Sequence, residues 1–249
     1  MHEIKLVLAD LDGTVVESEA HEASEAVITS LREAESRGIK FAAVTGRPFW
    51  MAKGLLKSIG FVDPCIFEGG ATIINPVTEE VLWSKTVPTE TTRKAVGILI
   101  DHASILEYGN GVIKAKDVDL EDINEPALSI WASVPVEMSD QLVKQLKVLP
   151  DVAVHGNNGP GGDFSRTGIQ VTHIQADKEH AVSELLRLLN IDKMHTLAIG
   201  DGNNDLPLFN GAAMKIAMGN ASDALKAEAD HVVAQVSDDG FAEAMRRFA

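Results

Sequence analysis

Asp10 and Asp12 stand one residue apart in Asp10-Leu11-Asp12-Gly13-Thr14, at the end of the apolar run Ile4 to Ala9. Two carboxylates this close repel each other, so such a pair persists when a cation lies between them or when one keeps a proton. A plain turn with a strand-end cap is the alternative for an isolated Asp-x-Asp-Gly. Three further segments carry suitable groups. Thr45-Gly46 offers a hydroxyl and an unobstructed amide ahead of a helix, where anions are favoured, although Thr45 also suits an N-cap before Pro48. Gly200-Asp201-Gly202-Asn203-Asn204-Asp205 gathers two carboxylates in a run that is costly, in entropy and repulsion, for a mere connector. Lys178 falls in the first turn of a helix, where the dipole disfavours a cation, so it is either solvated or held by an anion.

The elements that must position these groups follow from the apolar pattern. Ile4 to Ala9 is short, continuous and followed by Gly-Thr, as in a buried parallel strand. Glu22 to Arg37 has helical spacing and ends on Gly38; a strand spans Ile39 to Val44; a helix runs from Pro48 to Ile59; a strand lies around Cys65 to Phe67. This β-α-β-α-β order predicts a parallel sheet, whose carboxyl edge is where ligands bind. From Ala71 the rhythm changes. Hairpins are predicted at Ala71–Asn75 with Glu80–Ser84 and at Ile105–Tyr108 with Val112–Ala115, the second around Gly109-Asn110-Gly111. Helices are predicted at Thr89–His102 and Asp140–Lys147, and strands at Leu128–Val134, Val152–His155 and Ile169–Ile174. A helix at Asp177–Asn190 and strands at Thr196–Ile199, Lys215–Met218 and His231–Val233 restore the first rhythm. The expected fold is α/β, a Rossmann-like core of residues 1–84 and 176–249 carrying an inserted α+β domain of residues 85–175.

Composition narrows the partners. The 249 residues are 45% hydrophobic and 24% charged, ordinary for a globular chain. Lys plus Arg number 22 against 37 Asp plus Glu, a net charge of −15, which argues against nucleic acid or an anionic membrane. An anionic substrate would then need a local cation or backbone amides to offset repulsion. Cys65 stands alone among apolar neighbours and reads as a small buried hydrophobe. With no secretory or membrane-spanning segment in the sequence, a cytoplasmic protein is expected.

Taken together, Asp10-Leu-Asp-Gly-Thr14, Thr45, Lys178 and Gly200-Asp-Gly-Asn-Asn-Asp205 resemble the four motifs of the haloacid dehalogenase superfamily, in the right order. The large insert and the Gly-Asp-Gly-x-Asn-Asp spelling are similar to the Cof-type phosphatases with a type II cap. The resemblance implies that Asp10 attacks phosphorus and forms an aspartyl-phosphate, and that Asp12 protonates the leaving oxygen and later activates water. It implies Mg2+ held by Asp10, the Asp12 backbone carbonyl and Asp201, with Asp205 a ligand or a support behind them. It also implies phosphoryl binding by Thr45, the Gly46 amide, Lys178 and Asn204. The implied substrate is a small phosphorylated metabolite, a sugar phosphate or phosphoglycolate-like acid, and the protein a monomer or homodimer. A phosphotransferase or mutase, or a non-catalytic phosphate-binding protein, are the competing readings.

Some residues stand outside that pattern. Glu68-Gly-Gly-Ala replaces the branch's usual Asn-Gly-Ala, so Glu68 either binds a substrate hydroxyl or amine or faces away. Arg47 either clamps a second anionic group or forms a surface ion pair. Met218-Gly-Asn-Ala221 is similar to the branch's own sequence and places a turn beside the metal loop, with Asn220 a further candidate for an active-site contact. In the insert, Gly156 to Gly162 with Asp163 and Arg166 reads as a flexible cap turn rather than a substrate loop. His155 and His173 read as strand histidines, and Trp83, Trp131 and Tyr108 as packing residues rather than a sugar-stacking platform.

Overall fold

The computed structural model describes residues 3–18, 20–108, 111–158 and 165–249. The chain divides into two compact units, Met1–Trp83 with Lys178–Ala249, and Ser84–Asp177. In chain order the elements are β1 (Leu6–Ala9), α1 (Glu25–Glu35), β2 (Lys40–Ala43), α2 (Phe49–Ile59), β3 (Cys65–Phe67), β4 (Thr72–Ile74) and β5 (Val81–Ser84). The inserted unit contributes α3 (Thr89–Leu99), β6 (Ile105–Tyr108), β7 (Gly111–Lys114), β8 (Ser129–Pro135), α4 (Val136–Leu146), β9 (Val152–Asn158) and β10 (Arg166–His173). The return brings α5 (Lys178–Leu189), β11 (Thr196–Gly200), α6 (Leu206–Asn210), β12 (Met214–Ala217), α7 (Asp223–Glu228), β13 (His231–Val232) and α8 (Gly240–Phe248).

The first unit is built on a parallel sheet ordered β13-β12-β11-β1-β2. All four residues of β1 are buried, as expected of a strand covered on both faces. The register brings three strand ends level: Ala9 lies opposite both Ile199 and Ala43. Asp10, Thr45 and the Gly200–Asp205 loop therefore leave the sheet at one edge, on either side of the central strand where the chain order switches. A bridge between Val44 and Ile66 extends the sheet to β3, which then pairs antiparallel with β4. Helix α1 starts at Ser24, whose hydroxyl accepts the Val27 N–H at 3.2 Å. Helix α2 follows Pro48 and stops at Gly60, with φ of 93°.

The inserted unit is an antiparallel sheet ordered β7-β6-β8-β10-β9. Ile130, Ala132, Val134, Ile169 and Val171 pack with Val96 and Leu99 of α3 and Leu142 and Leu146 of α4 in its core. Here the structure extends several predicted elements. Helix α4 begins at Val136 rather than Asp140, because Pro135 takes the N-cap position and ends β8. Strands β9 and β10 run on to Asn158 and back to Arg166, so residues 156–158 are strand and not loop; Asp163 and the tip at 159–164 lie outside the described residues, as do Gly109 and Asn110. Helices α7 and α8 add to the predicted elements, α8 burying Phe241, Ala244 and Met245. Cys65 is buried and its thiol is pushed up to about 12 by desolvation, so it is inert. Among the described residues no helix is long and apolar enough to cross a membrane.

Candidate active site

Asp10 follows β1 directly and is 5% exposed. Its Oδ1 accepts a hydrogen bond from Lys178 Nζ at 2.9 Å, and the same ammonium donates to Asp205 Oδ1 at 2.6 Å. Lys178 is the first residue of α5 and is 3% exposed. Burial opposes its charge, yet Asp10 and Asp205 outweigh that and hold its pKa above the ordinary lysine value. Asp205, fully buried, turns its other oxygen to the backbone N–H groups of Asp201 and Gly202, each at 3.0 Å. That oxygen shapes the loop which presents Asp201.

Asp201 in turn accepts the Thr14 hydroxyl on Oδ1 at 3.0 Å and the Asn220 amide on Oδ2 at 3.3 Å. Asn220 also donates to the Gly13 carbonyl at 2.8 Å and accepts the Val236 N–H at 2.9 Å. It therefore ties the first loop, the Asp201 loop and the chain before α8 together. Gly13 has φ of 79°, and a Cβ there would collide with the Asp201 carboxylate, so glycine is required both for the turn and for the close approach.

Carboxylate oxygens of Asp10, Asp201 and Asp205 come within 4.8 Å of one another. Burial, followed by the neighbouring carboxylates, pushes Asp10 up to about 7 against the opposing pull of Lys178. Burial and Asp205 likewise push Asp201 up to about 6. An all-oxygen set of crowded carboxylates suits a hard divalent cation, which would relieve that repulsion. Without metal, both groups bind protons more tightly folded than unfolded, where they titrate near 3.8. Their stabilising contribution is complete below the unfolded value and is lost as pH rises through about 6 and about 7. The melting temperature in EDTA is therefore expected to fall between pH 5 and 8, and added Mg2+ to raise it more at pH 8. Calorimetric scans at both values check this; a profile in EDTA that rises with pH would contradict it.

A second cluster surrounds Asp12. Arg47 grips its carboxylate with two bonds, Nε to Oδ2 at 2.8 Å and a terminal nitrogen to Oδ1 at 2.5 Å, and also reaches the Ala20 carbonyl. The guanidinium fork is thus committed to Asp12 rather than to solvent. Thr45, 1% exposed, accepts the Arg47 N–H at 3.1 Å, which leaves its own hydroxyl proton to donate. Gly46 has open space where a Cβ would stand. Glu68 is buried with φ of 54°, and its loop is laced to the Thr45 loop by Glu68 N–H to Arg47 O at 3.1 Å and Gly69 N–H to Thr45 O at 3.0 Å. A glutamate in left-handed backbone is uncommon.

A family model described as haloacid dehalogenase-like hydrolase matches residues 7–139 and 104–245. The chain belongs to that family. This hydrolase is 24% identical over 245 residues to a phosphoglycolate phosphatase of Methanothermobacter thermautotrophicus, covering 98% of this chain and 99% of the relative. It is 29% identical over 233 residues to a phosphoglycolate phosphatase of Metallosphaera sedula, covering 90% and 89%. Among solved structures, a HAD subclass IIB sugar phosphatase superimposes with a TM-score of 0.82 at 25% identity, covering 98% of both chains.

The hydrolase brings Asp10, Lys178, Asp205 and Asp201 into one network, and Asp12, Arg47 and Thr45 into another. Asn204 is exposed and makes no hydrogen bond with a described residue. The bond from Thr14 to Asp201 was not legible in the Asp-x-Asp-Gly-Thr run, whereas Asn220, a candidate contact beside the metal loop, donates to Asp201. In the inserted unit, His155 lies on β9 and His173 ends β10, its Nδ1 accepting the Gln175 N–H at 3.0 Å. Arg166 is bound to Ser133 Oγ at 3.0 Å and to Ser133 O at 2.5 Å. Trp83 packs on the first unit's core and Tyr108 on the second's.

Proposed function

We propose that this hydrolase is a Mg2+-dependent phosphatase of a small phosphorylated metabolite, acting through an aspartyl-phosphate on Asp10. The observation that carries this reading is Lys178 buried between Asp10 and Asp205 at the sheet edge that also presents Asp12 and Asp201. A lone carboxylate would serve as a cap; one sharing a buried ammonium with a second aspartate fits a nucleophile prepared for an anionic partner.

In the proposed reaction an oxygen of Asp10 attacks phosphorus in line while the bond from phosphorus to the ester oxygen breaks. Asp12 gives its proton to the departing oxygen. As a carboxylate it then takes a proton from the water that attacks the aspartyl-phosphate, releasing inorganic phosphate and restoring Asp10. Arg47 fixes the plane of the Asp12 carboxylate. The Thr45 hydroxyl, the Gly46 N–H, Lys178 and the exposed Asn204 amide are the donors for the phosphoryl oxygens. Asp10 and Asp201, with the Asp12 carbonyl and Asp205 behind them, would hold Mg2+, which when bound supplies positive charge beside the phosphoryl group. That charge, with Lys178, answers the repulsion posed by a chain of net charge −15.

Relatives named phosphoglycolate phosphatase and a sugar phosphatase of similar fold support a substrate among sugar phosphates and phospho-acids. A panel of phosphorylated metabolites with free-phosphate detection tests the function. Phosphate release is expected with Mg2+ and is lost in EDTA; no release from any member, or full release in EDTA, rejects the assignment.

A further inference from the structure

Strand β9 closes the inserted sheet on one side, and its outer edge pairs with no described residue. It runs for 7 residues, Val152–Asn158, in unbroken register with β10. One bond fixes which of its backbone groups face outward. The Ile174 N–H donates to the Asp151 carbonyl at 2.8 Å, so these directly opposed residues are a hydrogen-bonded pair. Antiparallel ladders alternate such pairs with non-hydrogen-bonded ones. Ala153, His155 and Asn157 therefore direct their N–H and C=O to β10, whereas Val152, Val154, Gly156 and Asn158 turn theirs away from the sheet.

A free edge is a template for another strand, and folded chains blunt it with brevity, charge, proline or a bulge. Other sheet ends of this chain carry such devices. Strand β13 is 2 residues long; β5 is bracketed by Glu79, Glu80 and Lys85; β7 ends on Lys114. Strand β9, Val-Ala-Val-His-Gly-Asn-Asn, has no acid, lysine, arginine or proline, and its register with β10 contains no bulge. Its packing against α4 and its full ladder with β10 hold that edge straight and ready.

Symmetry and charge select the occupant. The four outward residues are spaced evenly about His155. A second β9 running antiparallel across a two-fold axis at His155 therefore meets all of them. Val154 then exchanges a pair of bonds with Gly156 of the partner subunit, and Val152 a pair with Asn158 of the partner subunit. Pairing a strand with its own copy sets any like charges side by side, which is destabilising. In a chain of net charge −15, β9 brings no acidic side chain to such a pairing. Gly156 leaves open space where a Cβ would stand, so no side chain crowds the incoming strand there. We propose that two copies of this chain associate through their β9 edges, joining the two inserted units in one continuous antiparallel sheet. At its centre His155, exposed in the single chain, faces His155 of the partner subunit as a non-hydrogen-bonded pair.

Sedimentation velocity of the whole chain across a concentration series tests the association, and a species of twice the chain mass is expected to grow with concentration. Val154→Pro deletes an outward N–H that takes no part in the ladder with β10, so it should weaken association by at least about tenfold while the circular dichroism spectrum stays that of the wild type. Cross-linking reads the register directly. Opposed residues of a non-hydrogen-bonded pair stand about 4.5 Å apart at Cα, inside the roughly 4.4–6.8 Å that a disulfide spans. His155→Cys should therefore form a covalent dimer under mild oxidation, the native Cys65 being buried. Ala153→Cys should not, because its own copy lies four residues further along the paired strands, roughly 13 Å away. A wild type that remains a single chain at every concentration would overturn the proposal. So would a dimer that survives Val154→Pro unchanged, or cross-linking as ready from position 153 as from 155. Should Val154→Pro fail to fold, the two cysteine variants still decide the case.

Discussion

Asp10→Asn is expected to lower kcat for any phosphomonoester by at least about 10^4-fold, the scale on which removal of a covalent nucleophile acts. The substitution keeps the shape of the side chain and the carbonyl oxygen that Lys178 Nζ meets at 2.9 Å. What disappears is the negative oxygen able to form the bond to phosphorus. The same change should leave the metal-free protein at least as stable as the wild type. Burial and the charges of Asp205 and Asp201 already disfavour an ionised Asp10, which is why its pKa stands near 7; a neutral amide removes that repulsion. Lost turnover with an undiminished melting temperature in EDTA separates a missing nucleophile from a misfolded site. Rapid quench of the wild type should trap phosphate on the protein in an acid-stable form, and the variant should trap none. Activity within tenfold of wild type would place the nucleophile elsewhere.

What the sequence revealed follows from which interactions are local. Asp10 and Asp12 were legible because a parallel strand buried on both faces is a continuous apolar run, and its end is marked by the first polar residue. The Gly200–Asp205 loop was legible because its composition is too polar and too charged for an idle turn. The partner of Arg47 was not, since the ion pair with Asp12 spans 35 positions and depends on the two loops leaving neighbouring strands at one level. Asn220 depends on contacts across 207 positions, to the Gly13 carbonyl. The start of α4 was hidden because Val134-Pro135-Val136 continues the apolar pattern of β8, and only the N-cap geometry at Pro135 breaks it. Strand β8 carries apolar side chains at both parities, Ile130, Ala132 and Val134 on one and Trp131 on the other. Alternation cannot rank two apolar faces; the register against β10 and the position of α3 and α4 do.

Lys178→Met should be the most destabilising single change at this edge of the sheet, and its cost should grow with pH. Methionine matches the length of lysine but removes the one ammonium that Asp10 and Asp205 share, both nearly or wholly buried. Breaking a buried pair by deleting one partner costs about 3–5 kcal/mol, because the remaining charge has neither water nor counterion. The lysine lowers the Asp10 pKa in the wild type, so its removal raises that pKa further above 7. At about pH 5 Asp10 is protonated in both proteins and little is lost through it. At about pH 8 the wild type holds an ion pair, whereas the variant must either bury an unpaired carboxylate or take up a proton against the solvent. The difference in melting temperature between wild type and Lys178→Met should therefore widen from pH 5 to 8, with kcat lower by about 10^2-fold or more where the variant folds. Lys178→Arg should not restore either property, since a planar fork cannot occupy the compact position between the two oxygens. A destabilisation that is equal at both pH values would mean that the ammonium acts through packing alone, and that Asp10 is not the group it holds in charge.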